Sequence, residues 1–395
     1  MRSPNLATIL VLLDVGGPAN DKLHHRSLQF VLPDYTSPPL PDAVAATPPP
    51  FQSDETVDNA RDLDAAGLCV GPDANYTACQ IVFTPELDGG ASNSSTEALT
   101  TGGKVGIIFF GGALVDPRGY SPMMRMLSDD YRIPVVVPIF TADMSFKMGV
   151  CDSGRLAQAQ KAFPCVERWV LAGHSFGGIA AYNDAWSMAQ QKDGTDIKGT
   201  IGDTIGGVAM IASYVRQDLG CGFSDFSSIG WEWLPFASIS ASEDMILNVT
   251  NYEAGQELLP YSPLVITKEI EGGNHGGFGS YDYSERETLL FQIDGNATIT
   301  PEEQQSITAE IISRIASLAA EDIKMEPGSS PPSPTNDELG TKAPSKQPTT
   351  ADQVFPASTS PTYKPTELDT SGAIHKSLVS SFFIAGSALT CFLCY

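Results

Sequence analysis

The sequence predicts an α/β fold, with a mostly parallel central sheet and helices on both faces. Three observations carry this. Short apolar runs of strand length recur through the middle of the chain, segments with helical spacing lie between them, and several runs end in glycine-rich turns. Strands that alternate with helices pair in parallel and are buried on both faces, so they read as continuous apolar runs.

The elements follow in order. Residues Lys104–Phe110 form the first run, which ends at Gly111 and Gly112. Tyr120–Tyr131 places Met123, Met124, Met126 and Leu127 at helical spacing. Ile133–Phe140 is β-branched and continuous, a second buried strand. Arg168–Ala172 is a third, followed at once by a glycine turn and a helical segment from Ile179 to Gln191. Gly207–Ala212, Phe236–Ser240 and Leu264–Ile270 supply three more strands. Pro301 sits well in the first turn of a last helix, whose apolar face holds Ile307, Ile311, Ile312, Ile315 and Leu318. In sheets of this kind the chemistry gathers at the carboxyl ends of the strands.

The flanks divide the chain further. Residues 1–50 combine Arg2, an apolar run Ala7–Leu13, small residues at 17–19 and a proline-rich stretch, the order of a secretory signal and leader. The globular domain spans 51–322. Residues 323–370 are rich in Pro, Ser and Thr, with too few apolar side chains to offset ordering entropy, and read as a disordered stalk. Residues 371–395 end in an uncharged apolar run from Leu378 to Tyr395. We read this as a signal for a glycosylphosphatidylinositol anchor cleaved near Ser371, ahead of a retained transmembrane tail. The expected location is the extracellular face of the membrane, or secreted, with the membrane as partner.

A net charge of −24 repels phosphate backbones and excludes nucleic acid as a partner. None of the seven cysteines lies at metal-ligand spacing from histidines, so no metal or other cofactor is expected. Cys69–Cys79 and Cys151–Cys165 are spaced for short disulfide loops, leaving Cys221 unpaired before the tail. Sequons at Asn75, Asn93, Asn248 and Asn296 point to an oxidising, glycosylating compartment.

The chemistry centres on Gly173-His174-Ser175-Phe176-Gly177, between an apolar strand and a helix. A serine on a tight strand-to-helix turn needs small neighbours, and it becomes a useful nucleophile only beside a base. Of five histidines, His24 and His25 lie in the leader, His375 beside the tail, and His174 next to the serine with its side chain expected to point elsewhere. His275, on a glycine-rich loop after the last strand, is the base. Asp244, just past the strand Phe236–Ser240, is the acid, ahead of Glu243 and Asp282. The backbone N–H of Phe176, with that of Gly112 or Ala113, is the expected oxyanion hole.

Further islands accompany these residues: Ile81–Pro85, Gly111–Tyr120, Ala212–Tyr214, Ser240–Asp244, Glu271–Gly279 and Thr300–Gln305. Together with Gly173–Gly178 they resemble the alpha/beta hydrolase fold-5 family, related to dienelactone hydrolases, over about Ile81 to Leu318. The resemblance implies the α/β-hydrolase fold with a minimal cap, and Ser175, Asp244 and His275 as the triad. Two stretches depart from the family pattern. Residues 192–205 look inserted, and 216–234 hold Cys221, Phe223, Trp231 and Trp233, aromatics that we read as packing under a loop. The expected activity is hydrolysis of a small-molecule ester or lactone through an acyl-enzyme. The alternatives are an idle hydrolase fold serving as a surface binding module, or an acyltransferase on the same scaffold.

Overall fold

In the computed structural model, the described residues are 37–47, 52–71, 74–85, 103–146, 152–190, 204–216, 225–227, 234–260, 263–284 and 293–321, with two further short strands near the N-terminus. Those strands, β1 (Ala7–Leu10) and β2 (Gln29–Leu32), pair antiparallel as a separate two-stranded sheet. The remaining strands are β3 (Gln80–Phe83), β4 (Val105–Phe110), β5 (Val135–Pro138), β6 (Arg168–His174), β7 (Ile205–Ile211), β8 (Phe236–Ala241) and β9 (Val265–Ile270). They form one sheet in the order β3-β5-β4-β6-β7-β8-β9, parallel except for β3, which runs antiparallel to β5. Helices are α1 (Asp42–Ala45), α2 (Asp54–Ala65), α3 (Ser121–Arg125), α4 (Arg155–Ala162), α5 (Phe176–Gln190), α6 (Val249–Gln256) and α7 (Pro301–Ala320).

The sheet is covered on both sides. Successive residues of β4 alternate between two cores: Val105, Ile107 and Phe109 join one, Ile108 and Phe110 the other. The first core contains Met123, Met124 and Leu127 with the α7 residues Ala309, Ile312, Ile315, Ala316 and Ala319. The second contains Leu156 and Ala159 of α4 and Ile179, Ala181 and Trp186 of α5. The buried stripe of α7 thus combines Ile312 and Ile315 with three alanines, while Ile307, Ile311 and Leu318 pack at its margin, only partly buried.

Strand order reverses at β4. The chain leaves β4 for β5 on one side, then returns to β6 on the other. Such a reversal splays the loops at the carboxyl ends of the two strands and opens a crevice between them. The Gly111–Gly112 turn and Ser175 emerge there.

Buried charge ties the helices to these loops. Arg61 of α2 reaches Asp143 at 2.8 Å and Asp116 at 3.1 Å, and Asp116 also pairs with Arg118 at 2.7 Å. Arg155 of α4 pairs with Asp64 of α2. Asp184, inside α5, accepts the Ser153 N–H at 2.9 Å and the Ser153 hydroxyl. Burial pushes Asp184 up to about 7 despite those bonds, and pushes Asp143 up to about 6 where it shares Arg61 with Asp116.

A carboxyl raised in the folded state binds protons more readily there than in the unfolded chain, so stability falls as pH rises through the folded value. Asp116 is held below its ordinary value by Arg118 and Arg61 and acts only at more acid pH. The thermal midpoint is therefore expected to rise by roughly 5 °C between pH 8 and pH 5. Asp184→Asn should raise the midpoint at pH 8 and flatten this dependence, as followed by circular dichroism.

Cys69 and Cys79 are disulfide-bonded, as expected. Cys165 is disulfide-bonded too, to a cysteine outside the described residues, where Cys151 and Cys221 also lie. Asn75, Asn248 and Asn296 are exposed, and Asn93 is outside the described residues. Among the described residues no helix is long and apolar enough to cross a membrane. The leader sequence before residue 29 apart from β1, most of the insertion 192–205, the aromatics 223, 231 and 233, and the stalk and apolar tail after residue 321 lie outside the described residues.

Candidate active site

Strand β6 ends at His174 and α5 begins at Phe176, so Ser175 is the whole turn. It adopts φ of 55°, the left-handed region that an L-residue enters only under constraint. Two contacts impose it: the Ser175 N–H donates to Ile211 O at 2.9 Å, and its carbonyl accepts the Gly178 N–H at 3.0 Å. The turn closes so tightly that a Cβ on Gly173 would lie 2.1 Å from Gly177 O, and one on Gly177 would lie 2.0 Å from Phe110 O. Only glycine fits at either place. The side chain of Ser175 is held partly exposed at the N-terminus of α5.

Asp244 follows β8 and His275 follows β9, neighbouring parallel strands, so both turns leave the same edge of the sheet. Asp244 Oδ1 accepts the N–H groups of Ile246 at 2.9 Å and Leu247 at 2.8 Å, which fixes the carboxylate and points Oδ2 at His275. The contact between Asp244 Oδ2 and His275 Nδ1 is 2.8 Å. An ionised carboxylate only accepts, so Nδ1 is the donor in this contact. His275 Nε2 is buried and makes no hydrogen bond among the described residues. The rival acids point elsewhere: Glu243 bonds Ser242 Oγ at 3.3 Å, and Asp282 accepts from Ser284.

Residues 106–306 match the sequence model of the alpha/beta hydrolase family. The chain belongs to that family. Among solved structures, similar chains include a thermophilic esterase from Thermogutta terrifontis, with malate bound, at 12% identity and a TM-score of 0.34, covering 54% of this chain and 90% of its own. Another is an alpha-beta serine hydrolase homologue from Coxiella burnetii at 14% identity and a TM-score of 0.31, covering 58% of this chain and 89% of its own. No curated protein sequence matches this hydrolase-family chain.

In this α/β hydrolase the turn after β4 separates the two expected alternatives: the Gly112 N–H donates to the Tyr120 hydroxyl at 2.8 Å. The N–H groups of Ala113 and Phe176 make no hydrogen bond among the described residues, so these two are the donors left. The His174 Nδ1 lies 2.9 Å from the Tyr120 hydroxyl, and its ring packs 4.6 Å from the ring of His275. The Tyr120 hydroxyl, which accepts from Gly112, is thus also in hydrogen-bond contact with His174 Nδ1.

Three supports of the turn that carries His275 had no assignment in the sequence. Gln304, buried at the start of α7, accepts the Asn274 N–H at 3.1 Å and donates to Asn274 O at 2.7 Å. Gln305 donates to Ser280 Oγ at 3.1 Å. Asp294 sits beneath the histidine turn. The signal available was the pair of amides one turn into a capped helix, where a solvated surface would serve as well. Among the described residues no group of three or more His, Cys, Asp or Glu side chains is arranged to hold a metal ion.

Proposed function

We propose that this α/β hydrolase is a serine hydrolase acting on a carboxylic ester or lactone. The observation that carries the reading is the 2.8 Å contact of Asp244 with His275 Nδ1, which leaves Nε2 as a base on the same sheet edge as the strained serine. Ser175 Oγ attacks the carbonyl carbon while His275 Nε2 takes its proton. The charge that develops on the carbonyl oxygen meets the N–H groups of Ala113 and Phe176, the latter at a helix N-terminus. His275 then protonates the leaving alcohol, and water repeats the sequence on the acyl-enzyme. Transfer of the acyl group to another acceptor would use the same intermediate.

The open gap between Ser175 and His275 Nε2 is the one observation that favours an idle binding module. In unliganded sites such contacts are often long and tighten with substrate. A fluorophosphonate probe separates the readings, because its labelling needs nucleophile, base and oxyanion donors together. It is expected to modify Ser175, identified by peptide mapping. Asp244→Asn should slow labelling by about 10³-fold or more, because it allows the wrong imidazole tautomer. Glu243→Gln should leave the rate unchanged. A folded wild type that resists the probe would establish the binding module instead. For location, we infer an extracellular site of action at the membrane, supported by the Cys69–Cys79 disulfide and by sequons whose described asparagines are exposed.

A further inference from the structure

The acid and the base stand on turns after different strands, β8 and β9, and their contact survives only if the two turns keep register. Asp294, only 8% exposed, reaches both. Its Oδ1 accepts the N–H of Met245 at 3.4 Å, of His275 at 3.3 Å and of its neighbour Gly295 at 2.9 Å. Its Oδ2 accepts the Gly276 N–H at 2.7 Å. Three of these four donors belong to the base itself or to the residues that follow the acid and the base.

We propose that Asp294 is a positioning residue of the site: as an anion it clamps the acid turn to the base turn and favours the imidazolium that His275 becomes on taking the serine proton. This rests on the function proposed above. The clamp is backbone-directed, so it leaves His275 Nδ1 to Asp244. The titratable groups facing His275 are Asp244 after β8, Asp294 before α7, and His174 at the end of β6; the Tyr283 ring packs against Gly276 beside them. Burial pushes the Asp294 carboxyl up, while the Gly276 N–H and the charge of His275 pull it down and Asp244 pushes it up again.

Asp294→Asn keeps the shape, removes the charge and sets an amide against N–H groups that need an acceptor. The rate of fluorophosphonate labelling at Ser175 should fall by about 10- to 100-fold. Its pH profile should also change. With the anion gone the protonated ring is less favoured, so the acid limb moves to lower pH by about 0.5–1 unit. A support that only holds the turn would lower the rate at every pH and leave the limb in place. Asp294→Glu keeps the charge, so its limb should stay at the wild-type position even if the rate drops. NMR titration of the His275 ring in Asp294→Asn reads the same shift with no chemistry at Ser175. An unmoved limb and an unmoved ring titration in folded Asp294→Asn would overturn the proposal. If that variant does not fold, a displaced limb in Asp294→Glu would do so. A wild type that is never labelled would overturn the serine-hydrolase reading alone, and the ring titration would still decide the clamp.

Discussion

Ser175→Ala is expected to lose fluorophosphonate labelling outright and to hydrolyse an activated ester about 10⁴- to 10⁶-fold more slowly than the wild type. His275→Ala should fall almost as far, and the double variant hardly further, because nucleophile and base act as one unit. On the proposed mechanism, what remains in either single variant would report the Ala113 and Phe176 N–H groups, which need no help from the triad to meet an oxyanion. The alanine should fold normally. Ser175 Oγ makes no hydrogen bond among the described residues, and alanine reaches the left-handed conformation about as readily as serine does. The measurement is steady-state hydrolysis of a p-nitrophenyl ester with the melting curve as control. Undiminished turnover in Ser175→Ala would sink the assignment of the nucleophile.

Gly177→Ala is expected to destabilise the protein strongly. The new Cβ would sit 2.0 Å from Phe110 O and 2.6 Å from Gly111 O. Both are backbone atoms at the end of β4, so no side-chain rotation relieves the overlap. The turn must open, which separates α5 from the sheet and moves Ser175. A loss of about 4 kcal/mol or more is expected, enough to give little soluble protein. Gly103→Ala provides the contrast, since its Cβ meets nothing within 4 Å and only its φ of 74° is unfavourable. It should cost about 1 kcal/mol. Equal melting points for the two variants would show that the elbow tolerates the methyl group and that the collision is not what enforces glycine.

The central strands were legible because burial on both faces leaves an unbroken apolar run, as in Val135–Pro138 and Ile205–Ile211. The helices α2 and α4 were not. In its 12 residues α2 buries only Val57 and Ala60, and the apolar side chains that α4 buries are Leu156 and Ala159, too little stripe to read from sequence. At the site, the positions of Ser175, Asp244 and His275 at strand ends were legible, because topology fixes them. The choice between Gly112 and Ala113 was not, because it turns on a hydroxyl arriving from Tyr120. Asp294 and Gln304 were hidden for a related reason. Each acts through backbone N–H and C=O groups of a distant turn, and nothing in the local sequence of a polar residue tells inward from outward.

The last helix also sets when the site can exist. At one end α7 grips the histidine turn through Gln304, and at the other its Ala319 carbonyl accepts from Arg168, at the foot of the strand that carries Ser175. The nucleophile strand is synthesised well before this brace. A chain that stops short of Gln304 carries Ser175 but lacks the side chain that holds the Asn274 backbone. Under the function proposed above, the order of synthesis would thus supply the serine before the support of its base.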